Sequence, residues 1–347
     1  MIEILLILLQ MGFLSFVITY CIPCFEFNNK AQKKLINTLS IKIIIFANIF
    51  LIFSLTKFDN YFLLIFLILF CTYLFIKKKQ TLSLNLNYEF LYILLLIFLI
   101  SVSFASKLEF SWDTKFFWFM KVINFYQNES VYNLNKIPAT DYPHLGTYIW
   151  AFFWKFPFDS YEYHGRIFYV FFFIISIFSF FDILKIDQTN KFIFSTLAII
   201  TSFSFDLISG NQEIIIFSLS LLSAKFCYLI FIESEKKDIT INLIILLLIF
   251  NFATWVKNEG FFIIGFSLLI IFFLAKLDKS QKKIVFFGSC LVIFLRIIFF
   301  KFLNTDLESF EFEKTFASMN FIDLLKNAKV ILFYGFFYLT QLPILSL

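Results

Sequence analysis

The sequence predicts an all-α, polytopic membrane protein with about eleven transmembrane helices, and three observations carry that expectation. Hydrophobic residues make up 61% of the 347 positions and charged residues only 15%, against roughly half and a quarter in soluble domains. The mean hydropathy is +0.87. Apolar runs long enough to cross a bilayer, about 20 residues each, recur along nearly the whole chain and leave no polar stretch that makes a separate soluble domain. A single membrane-embedded domain, 1–347, follows.

Hydropathy places the spans at 2–22, 41–56, 61–76, 88–105, 166–185, 192–208, 214–232, 239–256, 260–276, 284–302 and 328–347, the shorter ones needing tilt or local bilayer thinning. Met1-Ile2-Glu3 lacks a basic n-region and the following run is longer than a signal-peptide core, so it reads as a retained first helix. Lysines gather in alternate connections: Lys30, Lys33 and Lys34; Lys77, Lys78 and Lys79; Lys185 and Lys191; Lys236 and Lys237; Lys276, Lys279, Lys282 and Lys283. The positive-inside rule puts these in the cytoplasm and the N-terminus outside. Every unusual polar cluster then falls on the external side: 106–165, Ser209 to Glu213, Lys257-Asn-Glu-Gly260 and 303–327. Connectors with no further role would be spread over both faces.

The net charge of +5 is scattered through short loops, which suits membrane orientation and argues against nucleic-acid binding. Four of the five cysteines lie in or at the ends of apolar runs and fit small buried hydrophobes. Cys21-Ile-Pro-Cys24 has no second pair or nearby histidine to complete a metal site. No internal repeat is visible, nor the paired broken helices of many secondary transporters.

Residues 106–165 form the one long extramembrane segment, between the N-terminal helices 1–105 and the remaining bundle 166–347. From Thr114 to Asn128, Phe116, Phe117, Phe119, Met120, Ile123 and Phe125 are interleaved with Lys115, Lys121 and Asn124, the pattern of an amphipathic interfacial helix with its apolar face in lipid. Asp113 stands just before it, where a carboxylate serves as an N-cap. Asp141-Tyr-Pro-His144 is a turn-rich stretch with a second acid, and Tyr163-His164-Gly165-Arg166 leads into the next span. Separately, Asp141 reads as a turn former and His144 as an incidental surface residue. Together, two acids, both histidines of the chain and Arg166, one of its two arginines, belong to one loop beside one membrane face.

Trp112-Asp113 followed by Phe117-Trp118 and Lys121, the Asp141-Tyr-Pro-His144 turn, Gly210-Asn-Gln-Glu213 after one span and Lys257-Asn-Glu-Gly260 after another resemble, in order and sidedness, the GT-C type of integral-membrane glycosyltransferases. The resemblance covers 106–265. It implies sugar transfer from a polyprenyl-phosphate-linked donor to a cell-envelope acceptor (a glycan, lipid or protein), on the outer face of a membrane of the bacterial inner-membrane kind. In that family an acid at the start of the first large external loop is the catalytic base, and the matching residue here is Asp113. Two departures stand: many members carry adjacent acids where this chain has Asp113-Thr114, and about three helices precede the familiar arrangement.

Such a transfer needs a base for the acceptor hydroxyl and positive charge for the departing phosphate, because both charges develop in the transition state. A phosphate leaves without a general acid, so one carboxylate suffices for an inverting route, unlike the pair of a glycosidase. Asp113 supplies the base in this reading. Asp141 orients the acceptor or helps hold a divalent cation, carboxylates being ligands for Mg²⁺ and Mn²⁺; the sequence itself assigns no metal. His144, His164, Arg166, Lys257, Glu259 and Arg296 are the expected phosphate- or substrate-binding residues. Arg296 is informative because it lies within the tenth span, about 18 Å from its start by helical rise, where an arginine needs a partner, a wet cavity, or a snorkelling path to the outer interface beside Lys301. Lys225, mid-span, poses the same question, with Glu213 and Glu259 as available partners for either cation.

Two other functions compete. A transporter or flippase for a lipid-linked or small anionic substrate would use Lys225 and Arg296 to line a path, and a scaffold would use the external loop to dock a partner. Acids and aromatics gathered at one face favour the enzyme.

Overall fold

The computed structural model describes residues 2–28, 30–56, 60–78, 88–106, 109–137, 142–159, 161–184, 186–202 and 209–302. The eleventh expected span, the 303–327 loop and Asp141 lie outside these residues. Among the described residues the structure is helical and has no strand. The α-helices run α1 Ile2–Tyr20, α2 Leu35–Ser54, α3 Asn60–Lys78, α4 Tyr88–Ser106, α5 Phe119–Tyr126, α6 Leu145–Lys155, α7 Tyr163–Phe181, α8 Gln188–Ser202, α9 Glu213–Ile232, α10 Lys236–Val256, α11 Asn258–Leu274 and α12 Lys279–Phe302. Six segments are long and apolar enough to cross a membrane: Ile2–Tyr20, Leu35–Ser54, Tyr88–Ala105, Tyr163–Leu184, Glu213–Ile232 and Lys236–Val256. Shorter apolar helices cover Asn60–Leu74 and Asn258–Leu274.

α7 is the axis of the bundle, with every residue from Tyr163 to Ser179 buried. An all-round apolar helix such as this has no polar face to give to solvent and so sits at the centre. α2, α4, α6, α9 and α8 pack around it, and α10 closes against α2, α9, α11 and α12. The periphery is apolar as well: Phe262, Phe266, Phe273, Leu69 and Ile200 are all more than half exposed. In water that would be a large unsatisfied apolar surface; in a bilayer it is the expected lipid-facing coat.

The connections sort to two ends. Lys34 pairs with Asp182 at 3.3 Å, Lys191 pairs with Asp182 at 2.5 Å and with Glu89, and Lys236 pairs with Asp278 at 2.6 Å. The Asn28 amide donates to Asp238 at 3.1 Å. These bonds tie together the connections into α2, α4, α8, α10 and α12, the lysine-bearing set. Local signals start the helices there: Asp278 and Gln281 exchange side-chain to backbone hydrogen bonds of 2.8 and 3.1 Å, a capping box opening α12, and Asp187 accepts from the Asn190 amide at 3.1 Å before α8.

At the opposite end lie the segments around Asp113, Asn211, Lys257 and Arg296. The 106–165 segment is more internal than its sequence suggests. Within it α6 is buried from Leu145 to Phe153, and Gln10 of α1 donates to the carbonyls of Phe153 and Phe156 at 2.8 and 3.1 Å. Where one amphipathic helix is expected, a π-helical stretch Thr114–Trp118 leads into α5. In this segment Lys121 and Asn124 are buried, while Phe116 and Met120 are exposed. Lys121 donates to the Tyr142 carbonyl at 2.7 Å and Asn124 to the Glu129 and Ser130 carbonyls, so polar groups on the inward face satisfy buried backbone.

Candidate functional site

Ser111, and not Asp113, caps the helical start. The Thr114 amide donates to Ser111 Oγ at 3.2 Å, and Asp113 already has helical angles and makes no side-chain cap bond. Thr114 and Ser111 both donate to Asn211 Oδ1, at 2.8 and 2.5 Å. This fixes the Asp113 turn against the connection that opens α9. Gly210 is required there: its φ is +86°, and an added Cβ would meet Trp150 and Thr114 at under 3 Å. Asp113 itself is exposed, beside the exposed ring of Trp112. Rings then step inward from Trp112 to Phe117 (5.4 Å) and on to Tyr142 (5.9 Å).

Tyr142 leads to a cationic cluster. His144 is 2% exposed. Its Nε2 is 2.9 Å from Ser54 Oγ, and its ring packs on Phe125, Trp255 and Phe299. Burial, reinforced by the Arg296 and Lys121 charges, holds its pKa well below the ordinary histidine value, so the ring stays neutral at physiological pH. His144 is therefore a wall of the cluster and not a surface residue. Arg296 lies over Trp255 at 4.7 Å and donates to Asn258 Oδ1 at 3.4 Å. Lys257, between α10 and α11, pairs with Glu213 at 2.5 Å and Glu259 at 3.6 Å. Burial favours its neutral amine, but the Glu213 hydrogen bond and the charges of Glu213 and Glu259, with Tyr142 nearby, outweigh that and raise its pKa above the ordinary lysine value. Glu213 and Glu259 are thus partners of Lys257. For a phosphate to reach Lys257 it must displace Glu213, whose side chain is 47% exposed.

Arg166 and His164 belong to a different grouping. Arg166 is 1% exposed and bonded to Glu162 at 2.5 Å, one helical turn back, inside a box of Phe104, Phe110 and Trp150 rings 5.0 to 5.7 Å away. Burial raises the Glu162 pKa and Arg166 pulls it partly back. His164 is buried against Tyr161 and Tyr163. Lys225 donates to Asn37 and Ser179, the latter at 2.6 Å, near the lysine-bearing end.

Tyr142, His144, Lys257 and Arg296 are brought together, and Asp113 is tied by Thr114 and Asn211 to the same end; Asp141 lies outside the described residues. Among the described residues no group of three or more His, Cys, Asp or Glu side chains is placed to hold a metal ion. Sequence reasoning quoted Asn211 and Asn258 within the Gly210–Glu213 and Lys257–Gly260 motifs without giving either a role, and it missed Ser54 and Trp255, of which only Trp255 carried a local signal, two residues before Lys257 at a break between two apolar runs. No protein-family model matches the chain, and neither does any curated protein or solved structure.

Proposed function

We propose that this chain is a membrane glycosyltransferase that takes a sugar from a polyprenyl-phosphate-linked donor, with Asp113 as the base and Arg296 as the main phosphate ligand. The reading includes eleven spans, 328–347 being the last, with the Asp113 end outside by the positive-inside rule and the 114–126 helical segment at the outer interface. Its main support is the placement of Arg296, on Trp255 and Asn258, at the same end as the exposed Asp113. A base and a phosphate-binding cation on one face are the two groups that a single-displacement transfer requires. Neutral His144 adds a wall without opposing charge. Asp141 keeps its role as acceptor-orienting or cation-binding acid within this proposal, and a divalent cation stays compatible with it. The transporter reading would need Lys225, which bonds to Asn37 and Ser179 near one end, and Arg296, which bonds to Asn258 near the other, to line one continuous path through the bundle.

Two experiments test this. With the native cysteines replaced, a Lys115→Cys variant is expected to react with an impermeant maleimide from outside intact cells, and Lys237→Cys only after permeabilisation; both sites are exposed. The reverse pattern overturns the proposal along with the topology. For the chemistry, Arg296→Lys is expected to weaken donor binding by about tenfold or more, since lysine cannot reproduce two parallel bonds to phosphate, while Lys257→Arg has a milder effect. Unfolding of Arg296→Lys with normal donor affinity in the folded fraction would make Arg296 a structural residue.

A further inference from the structure

Asn48 of α2 and Asn251 of α10 stand one to two turns short of Ser54 and Val256, the last residues of their helices, and so within spans, where an amide needs a protein partner. Asn48 Nδ2 donates to the Ile44 and Leu248 carbonyls at 2.8 and 3.1 Å. Asn251 Nδ2 donates to Asn48 Oδ1 at 2.7 Å, and Asn251 Oδ1 accepts from Trp255 Nε1 at 3.2 Å. These directions are forced. A backbone carbonyl only accepts and an indole N–H only donates, so turning either amide over would set like groups face to face. The chain of bonds therefore runs one way, from the backbone of α2 and α10 to the Trp255 ring.

That ring carries Arg296, whose guanidinium lies 4.7 Å from its centroid. An aromatic ring attracts a cation at its face and repels it at its edge. Hence the setting of the indole decides whether Trp255 holds Arg296 or opposes it. Joining α2 to α10 would need only the Asn48–Asn251 bond; the further bond to the indole, four residues along the same helix face, adds nothing to that pairing. We propose that Asn251, oriented by Asn48, is a positioning residue for the anion site: it fixes the Trp255 indole so that the ring face holds the Arg296 guanidinium where the donor phosphate binds. The inference rests on the phosphate role given to Arg296 above. Neither asparagine touches the donor in this arrangement, and their effect reaches it through the ring.

The test is a double-mutant cycle on the full chain in detergent, read as the dissociation constant of farnesyl phosphate. Asn251→Leu is expected to weaken binding by about tenfold in the parent and by less than about twofold in Trp255→Phe, which has no indole N–H to orient. In protein carrying fluorotryptophan, the fluorine resonance absent from Trp255→Phe is expected to shift in Asn251→Leu. An equal loss in both backgrounds, or an unmoved resonance, makes Asn251 a packing residue and overturns the proposal. If Asn251→Leu does not fold, Asn48→Leu combined with Asn251→Leu replaces it in the cycle, because removing both amides leaves neither unpaired inside the span. Parent-like binding by Asn251→Leu beside weak binding by Arg296→Lys removes the positioning role and keeps the phosphate site. Failure of the underlying reading looks different: Arg296→Lys then binds farnesyl phosphate as the parent does, and the positioning role falls with the site it serves.

Discussion

Asp113→Asn is expected to lower glycosyl transfer by about 10²–10⁴, the usual worth of a positioned general base, while membrane insertion and thermal unfolding stay as in the parent. The two effects separate because of where the side chain sits. Asp113 is exposed and makes no cap bond, and the cap is supplied by Ser111. Its replacement by an isosteric amide removes neither a buried contact nor a helix-starting hydrogen bond, so the stability change falls within the small range of surface substitutions, about 0.5 kcal/mol either way. A structural acid would show the opposite pattern, with lost stability and activity falling only in proportion to folded protein. Transfer measured as release of polyprenyl phosphate, alongside a melting curve, decides it. Near-normal turnover by folded Asp113→Asn removes the assignment, and Asp141 is the next acid to test.

The long helices were legible because their apolar runs match the bilayer requirement. The sorting of connections was legible because lysine marks one end, and the ion pairs Lys34–Asp182 and Lys236–Asp278 join the connections that the lysines flagged. α6 was not legible as a buried element. Its eleven residues are too few for a span, and turn residues just before it make the whole segment read as a loop. The inward face of the 114–126 segment escaped for another reason. Periodicity separates polar from apolar positions but cannot say which set meets protein, and here Lys121 and Asn124 turn inward to satisfy carbonyls. His144 illustrates the same limit: a histidine in a turn looks like surface until Phe125, Trp255 and Phe299, from three distant parts of the chain, close over it.

Cation partners were the least legible part of the site. Lys257 finds Glu213, 44 residues away, and Lys225 finds Asn37, 188 residues away, neither of which follows from local spacing. The sequence offered Glu213 and Glu259 as partners for Lys225 or Arg296, and the packing of α9 and α11 gives both to Lys257 instead.

Glu162→Gln is expected to destabilise the protein by about 3–5 kcal/mol, because it leaves the Arg166 guanidinium buried without its counter-charge. Arg166 is 1% exposed, with Glu162 at 2.5 Å and aromatic rings around it, so its charge stays desolvated when the carboxylate is removed. The pair was readable in principle, as Glu162 and Arg166 stand four residues apart at the start of a helix, where opposite charges share a face. The double variant Glu162→Leu, Arg166→Met removes both charges at similar volume and is expected to recover most of the lost stability, since the desolvation cost of a buried pair offsets its attraction. Thermal unfolding in detergent measures both changes, and transfer activity of the double variant then assigns Arg166. A stable, active double variant makes Arg166 a structural residue and leaves phosphate binding to Arg296. A stable but inactive one returns Arg166 to the donor site that the sequence first suggested for it, with Glu162 as the carboxylate that the donor phosphate displaces.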